Sequence, residues 1–342
     1  MNLVTGGAGF IGTHLVEQLL AAGESVRVVE RPGASVSHLP LENIELVTAD
    51  IRDRAAMDKA VQGCRHVYHL AADPNLWRRD VKEFDAINHH GAMNVIHAAL
   101  ETGAERILHT STESVMTAPD FDGGPAEERR FRETDMIGPY CLSKFRAEEE
   151  VWALADAGAP VVLFCPTLPV GPGDRQLTPP TRMALAFCRG ELPAYLDCRF
   201  NLVDVRDVAR AMIVAMKRGR SGWRYVVGGH NYRLIDWLKL LGREIGRPAP
   251  RFAVPYPLAL TVAYMSEFWA RHVSHKMPMA TVTGVRLTRR SMHFDPSASL
   301  AELDIVPRSL EQSAHDITAW FYDQGWLSQP PTGFFKDTVK ER

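Results

Sequence analysis

Tyr140 and Lys144 are separated by three residues in the stretch MIGPYCLSKF, residues 136–145. At i and i+4 they share one face of a helix. An ammonium beside a phenol favours the phenolate, and could draw the tyrosine from its usual value of about 10 toward working pH, where proton transfer is most useful. A bound oxidised nicotinamide would push the same way. Just upstream, the run RILHT at 106–110 leads into HTSTES. Hydroxyls there would lie at the carboxyl end of a strand, where open α/β sheets bind ligands. Ser111 and Thr112 are the candidates, one to hydrogen-bond a reacting oxygen and one to support the turn.

A second constellation opens the chain. TGGAGFIG, residues 5–12, spaces Gly6, Gly9 and Gly12 as G-x-x-G-x-x-G between a strand and a helix, with Phe10 and Ile11 in the same turn. Glycines there permit a tight turn and let backbone N–H groups approach a pyrophosphate at a helix N-terminus. The second strand ends in VVERPGAS. A carboxylate there accepts bonds from ribose hydroxyls, whereas an arginine attracts a 2′-phosphate. Glu30 points to NAD and the adjacent Arg31, with Ser35, to NADP. Asp50 and Ile51, after the third strand, suit the edge of an adenine.

These groups need a scaffold, and the first half of the chain supplies one. Apolar runs at 2–5, 25–29, 44–48, 65–70, 106–110 and 160–165 predict strands. Helical periodicity predicts helices near 10–22, 53–61, 80–101 and 138–157. Strands alternating with helices imply parallel pairing, right-handed crossovers and a Rossmann-type doubly wound α/β sheet. After Pro166 the rhythm changes, and proline and glycine cluster at 166–180. The segment 201–227 is expected to return to the large sheet. The division is therefore a dinucleotide-binding domain of 1–166 plus 201–227, and a smaller substrate-binding portion of 167–200 plus 228–342.

The 342 residues suffice for a large core, and a net charge of −2 gives no general reason to bind nucleic acid. Five scattered cysteines without a Cys-x-x-Cys predict reduced thiols and a cytoplasmic setting. The chain reads as strand and turn from its first residues, which fits no targeting peptide, and no uninterrupted apolar run of about 18 residues predicts a membrane span. No metal site is expected: His89 and His90 are adjacent and on a helix would point apart, and His272 and His275 lack a clear third ligand.

TGGAGFIG, ADIRD at 49–53, HLAA at 69–72, Asn88 within NHHGAMN, TST at 110–112, Tyr140 with Lys144, Pro166, GPGD at 171–174 and ELDIVPR at 302–308 together resemble the extended short-chain dehydrogenases/reductases. That group includes the NAD-dependent epimerases and dehydratases, and within it the chain looks most like hopanoid-associated sugar epimerases and dihydroflavonol-reductase-like members. The resemblance implies that Gly6, Gly9 and Gly12 hold the pyrophosphate, and that Glu30 or Arg31 reads the ribose. It also implies that Asp50 and Ile51 flank adenine and that Leu70, Ala71 and Ala72 line the cofactor path. Asn88 belongs to the same cofactor-binding set. Thr112 matches the catalytic hydroxyl, Tyr140 the acid/base and Lys144 the group that binds the nicotinamide ribose, with Pro166 and Thr167 abutting the nicotinamide. A homodimer through helices 80–101 and 138–157 is implied by analogy. Two departures bear on substrate. Asp304 replaces a glycine in ELDIVPR, and Phe200 falls where nucleotide-sugar epimerases carry an arginine, with Asp204 and Arg206 altering the turn that follows. Arg199 and Arg182 are the available substitutes for a diphosphate grip.

The segment 252–272 is unusually apolar, with Leu258, Val262, Met265 and Trp269 on one helical stripe and Arg271, His275 and Lys276 just after it. Two readings stand. One is an amphipathic helix over 252–276 that rests on a membrane or lines a greasy channel; the other is a core helix of the smaller portion. The expected chemistry is hydride exchange between a ketone and a secondary alcohol on a bulky, lipid-, steroid- or hopanoid-like substrate. Alternatives are epimerisation or dehydration of a sugar through a transient ketone, and a non-catalytic cofactor-binding scaffold.

Overall fold

The computed structural model describes residues 1–332, so the last ten residues counted with the substrate-binding portion lie outside the described residues. The large sheet is parallel throughout, in the order β3-β2-β1-β4-β5-β6-β9. Its strands are β1 (Asn2–Thr5), β2 (Val26–Glu30), β3 (Ile44–Thr48), β4 (His66–His69), β5 (Arg106–Thr110), β6 (Val161–Pro166) and, later in the chain, β9 (Arg224–Val227). Each expected strand of the first half is present within a residue or so. The order reverses beside β1, so the crevice of a doubly wound sheet opens above β1 and β4.

Helices cover both faces. On one side lies α1 (Phe10–Ala21), packed with α7 (Val205–Arg218). On the other lie α2 (Arg54–Ala60), α4 (Ala92–Glu101) and α5 (Gly138–Asp156). Strands covered on both faces read as near-continuous β-branched runs, and VVLF of β6 is wholly buried. Val4, Leu108 and Val162 point into the layer under α1 and α7; Leu3, Val67, Ile107 and Leu163 point into the opposite layer.

The helix expected over 80–101 is interrupted. One turn, α3 (Lys82–Phe84), leads into a π-helical stretch, Asp85–Gly91, before α4. A π turn inserts one extra residue per turn, and such insertions cluster at functional sites. Here it directs Asn88 into the protein. It also stacks the His89 and His90 rings, 4.5 Å between centroids, against the expectation that they point apart. Gly91 is needed where the stretch crosses Ile51, since a Cβ there would lie 2.9 Å from the isoleucine side chain.

Beyond Pro166 a small sheet forms in the order β10-β8-β7, from β7 (Leu168–Val170), β8 (Arg199–Asp204) and β10 (His230–Arg233). The expected return of 201–227 to the large sheet holds only for β9, with α7 covering it. β8 instead pairs with β7 and β10 in the small sheet, and β9 takes the edge of β6 opposite β5. Helices α6 (Pro179–Arg189), α8 (Leu234–Ile245) and α12 (Leu310–Asp323) pack around the small sheet. Between α8 and α12 run α9 (Tyr256–Trp269), α10 (Val282–Leu287) and α11 (Ser297–Leu303). Asp304 ends α11 at φ 55°, ψ 49°. That left-handed position favours glycine, which explains why the resembling motif carries one there. Arg308 then reaches back, its backbone N–H donating to Asp207 of α7 at 2.7 Å.

Candidate active site

The glycine turn is built from backbone proximity. Gly6 has φ +72°, and a Cβ on it would lie 2.9 Å from the backbone of Ala71; a Cβ on Gly12 would meet the Gly6 carbonyl oxygen at 2.1 Å. The turn therefore closes only on glycines. Helix α1 opens at Gly9 with no side-chain cap and no acid in its first turn, so its positive end stays available to an anion. Phe10 is buried and Ile11 half-buried at that same helix start. An anionic dinucleotide fits such a cradle.

Glu30, at the end of β2, is buried and accepts the Ala8 N–H at 2.7 Å; burial raises its pKa against that bond. Arg31 beside it is exposed. Asp50 is occupied by Arg52, at 2.6 Å, while Ile51 is buried. Leu70 and Ala71 direct their N–H groups at the Thr5 hydroxyl, each at 3.2 Å, and Ala72 is exposed. Thr167 is fully buried and donates to Asn201 at 2.9 Å, directly after Pro166 ends β6. Asn88 accepts the Asp73 N–H at 2.7 Å and donates to the Ser143 hydroxyl at 3.2 Å, which in turn bonds the Tyr140 carbonyl at 2.9 Å. The π-helical stretch thus ties the loop after β4 to the helix of the proton pair.

Tyr140 and Lys144 lie in the first two turns of α5. Lys144 is buried, and its ammonium donates to the Thr110 carbonyl at 2.7 Å. Burial lowers its pKa to about 8, opposed by Cys165 and Glu148. For Tyr140, burial raises the pKa, Glu113, Cys141 and Asp73 push the same way, and the Thr112 side chain alone opposes. The phenol is consequently a protonated acid at neutral pH. Phe84 packs edge-on to its ring at 6.3 Å.

The two candidate hydroxyls separate. Ser111 donates to Glu148, which is ion-paired with Arg224 beneath the sheet end. Thr112 caps the short turn Glu113–Val115 by accepting the Ser114 N–H at 3.3 Å, and acts on Tyr140. Ser111 supports the turn and Thr112 faces the phenol. Behind them, His69 and His109 stack at 5.6 Å in the sheet. Burial, reinforced by Lys144, pushes His69 down to about 3 and His109 well below its usual value, so both stay neutral.

Three features escaped sequence reasoning: Glu113, the Glu148–Arg224 pair, and Asp73 with its partner Arg78. Glu113 carried a signal, since it directly follows the hydroxyl run at the end of β5. It is buried, and burial raises its pKa to about 7. Between its ordinary value and 7 the folded protein holds a proton that the unfolded chain releases, so stability falls as pH rises through that window. Glu113→Gln is therefore expected to stabilise the protein by about 3 kcal/mol at pH 8 and hardly at all at pH 4. Urea unfolding at the two pH values checks this, and equal effects at both would refute it.

Among the described residues one group, Asp85, His89 and His90, has potential metal-ligand atoms within 4.8 Å of one another. His89 is bonded to Glu150 at 2.6 Å and the Arg146 guanidinium lies 3.5 Å from Asp85, so the trio is satisfied by protein partners. Arg206, where the family turn differs, is locked between Asp204 and Asp316, each at 2.7 Å.

Comparison with known proteins bears on this arrangement. Residues 2–228 match the model of the NAD dependent epimerase/dehydratase family. The chain is similar to a "Putative dihydroflavonol 4-reductase" of Synechocystis, 33% identical over 329 residues, covering 95% of each chain. It is similar to "Sterol demethylase protein B" of Methylococcus capsulatus, 30% identical and covering 95% of this chain and 99% of the other. Among solved structures, the crystal structure of gox2253 superposes with a TM-score of 0.84 at 32% identity, covering 96% of this chain and 99% of that one.

Proposed function

The chain belongs to the NAD dependent epimerase/dehydratase family, an enzyme family of the extended short-chain dehydrogenases/reductases, and from that premise we propose that it interconverts a ketone and a secondary alcohol on a bulky, largely apolar substrate. The observation that carries this reading is the place of Tyr140: a half-buried phenol in the first turn of α5, with the Thr112 side chain acting on it and Lys144 one turn farther on. A protonated phenol so placed can hand a proton to a carbonyl oxygen as it becomes an alkoxide.

The glycine cradle and the open end of α1 would hold the pyrophosphate, and Glu30 would accept the ribose hydroxyls, which favours NAD over NADP. When bound, the cofactor supplies or accepts the hydride. Thr112 orients the substrate oxygen and Tyr140 donates its proton to it, or takes one back in the oxidative direction. Lys144, held at the Thr110 carbonyl, stabilises the tyrosinate left behind and offers its remaining N–H donors to the nicotinamide ribose. Asn88 fixes α5 against the loop after β4, so the phenol keeps its position.

Two observations support an apolar substrate over a nucleotide sugar. Phe200 stands where a diphosphate-binding arginine is expected, and Arg206 is committed to two aspartates. The similarity to a sterol-modifying protein agrees with them. The sugar-epimerase reading makes the opposite forecast. We expect NADH to be consumed mole for mole with a bulky cyclic ketone such as a 3-oxosteroid, and no change of UDP-glucose. Inversion of UDP-glucose with no net change in free cofactor would replace the proposal with epimerisation.

A further inference from the structure

Helix α9 faces its large side chains outward. Its buried residues are Ala259 and Ala263, whereas Leu258, Met265, Phe268 and Trp269 are between 55% and 67% exposed. Positions 258, 265 and 269 are i, i+7 and i+11, one stripe opposite the alanines. The expectation of a core helix thus fails, because the small residues make the packing face. The exposed band runs beyond the helix to Phe252 before it and Met279 after it, 74% and 86% exposed. Apolar surface of this extent marks an interaction site.

The charges around the band say what covers it. Residues 251–290 contain six Lys and Arg and a single acid, Glu267, a net charge of +5 in a chain whose total is −2. Glu267 is used internally, accepting the Val282 N–H at 2.7 Å where α10 begins. Arg251, Arg271 and Lys276 are exposed. A second copy of this chain would bring like charge against like charge across a two-fold axis. A nucleic acid would leave the methionines and aromatics without partners. Cations rimming Trp, Phe and Met on a helix about 21 Å long match an interfacial helix lying in the plane of a bilayer. No described helix is long and apolar enough to cross a membrane, which leaves docking on its surface.

We propose that α9 and its flanks dock this protein on an anionic lipid bilayer, with the apolar stripe sunk among the acyl chains and Arg251, Arg271 and Lys276 at the headgroups. His275 and Met277, at the end of the band, also line a cleft of about 680 Å³ with Trp77, Arg78, Arg79, Asp80 and Glu83. Arg78 is bonded to Asp73, next to the Asn88 clasp. Docking would set that largely charged cleft at the level of the headgroups.

Sedimentation with vesicles tests this, using phosphatidylcholine containing about one third phosphatidylglycerol against phosphatidylcholine alone. Partition onto the anionic vesicles is expected to be at least about tenfold stronger and to weaken with salt. Met265→Glu with Trp269→Glu should abolish it, and Arg271→Glu with Lys276→Glu should weaken it at least about tenfold. All four side chains are exposed, and an unchanged thermal midpoint would report an intact fold in each variant. Absence of binding to anionic vesicles, or undiminished binding of either variant, overturns the proposal. So does a concentration-dependent dimer that the Met265/Trp269 variant splits. Vesicle binding needs no turnover, so failure here and failure of the ketone reaction are separate results.

Discussion

Tyr140→Phe is expected to lower turnover at least about a hundredfold while leaving cofactor binding within about twofold of the parent, the pattern for loss of an acid/base group. The change removes one oxygen and keeps the ring, so the edge-on contact with Phe84 survives. It also leaves the local backbone intact, since Ser143 bonds the carbonyl of residue 140 and not its side chain. Thr112 still has the Ser114 N–H to hold it. Loss of rate would therefore report chemistry and not collapse. Single-turnover oxidation of NADH measures the step, and fluorescence titration measures cofactor binding. A variant with parental turnover would remove the phenol from the mechanism and with it the reading of α5 as the proton-handling helix.

The second large effect is on stability. Arg224 and Glu148 are each only 2% exposed at the side chain and are paired with each other. The guanidinium also donates to the carbonyls of Ala126 at 2.9 Å and Arg129 at 2.6 Å, while the carboxylate accepts from Ser111. Arg224→Met would leave a charged carboxylate buried without its cation, together with two carbonyls that lose their donor. Breaking a buried pair from one side costs about 3–5 kcal/mol, more than the pair itself contributes. Denaturant unfolding should show that loss, and adding Glu148→Gln should restore part of it, because the stranded charge is then gone. A single substitution that costs less than about 1 kcal/mol would mean that the pair is not sealed from water. The same pair holds Ser111, so its loss should also loosen the turn that presents Thr112.

What could be read from the sequence followed its local physics. Alternation of apolar runs with helical periodicity located β1 to β6 and the helices between them. The glycine spacing located the cradle, since a backbone that must approach another backbone excludes Cβ wherever it occurs. Tyr140 and Lys144 were placed on one helix face by their spacing together with the position of that helix after the fifth strand. Where the reading failed, the deciding partner was distant in the chain. Helix 80–101 breaks because Asn88 is drawn to Asp73 and Ser143. Strand β8 left the large sheet for β7 and β10, and β10 lies about thirty residues away in the chain. The stripe on α9 has the same periodicity whether it faces a core or a lipid surface, and only the packing of Ala259 and Ala263 chose between them.

The sequence by itself determined the doubly wound sheet, the glycine turn and the helix that carries Tyr140 and Lys144, since each depends on spacings of a few residues. The tertiary structure alone decided the partners within that set. Lys144 donates to the Thr110 carbonyl, Ser111 is taken by a carboxylate 37 residues away, and that carboxylate is paired with an arginine 76 residues farther on. Periodicity is a property of neighbours, whereas desolvation and pairing belong to whatever the fold brings alongside.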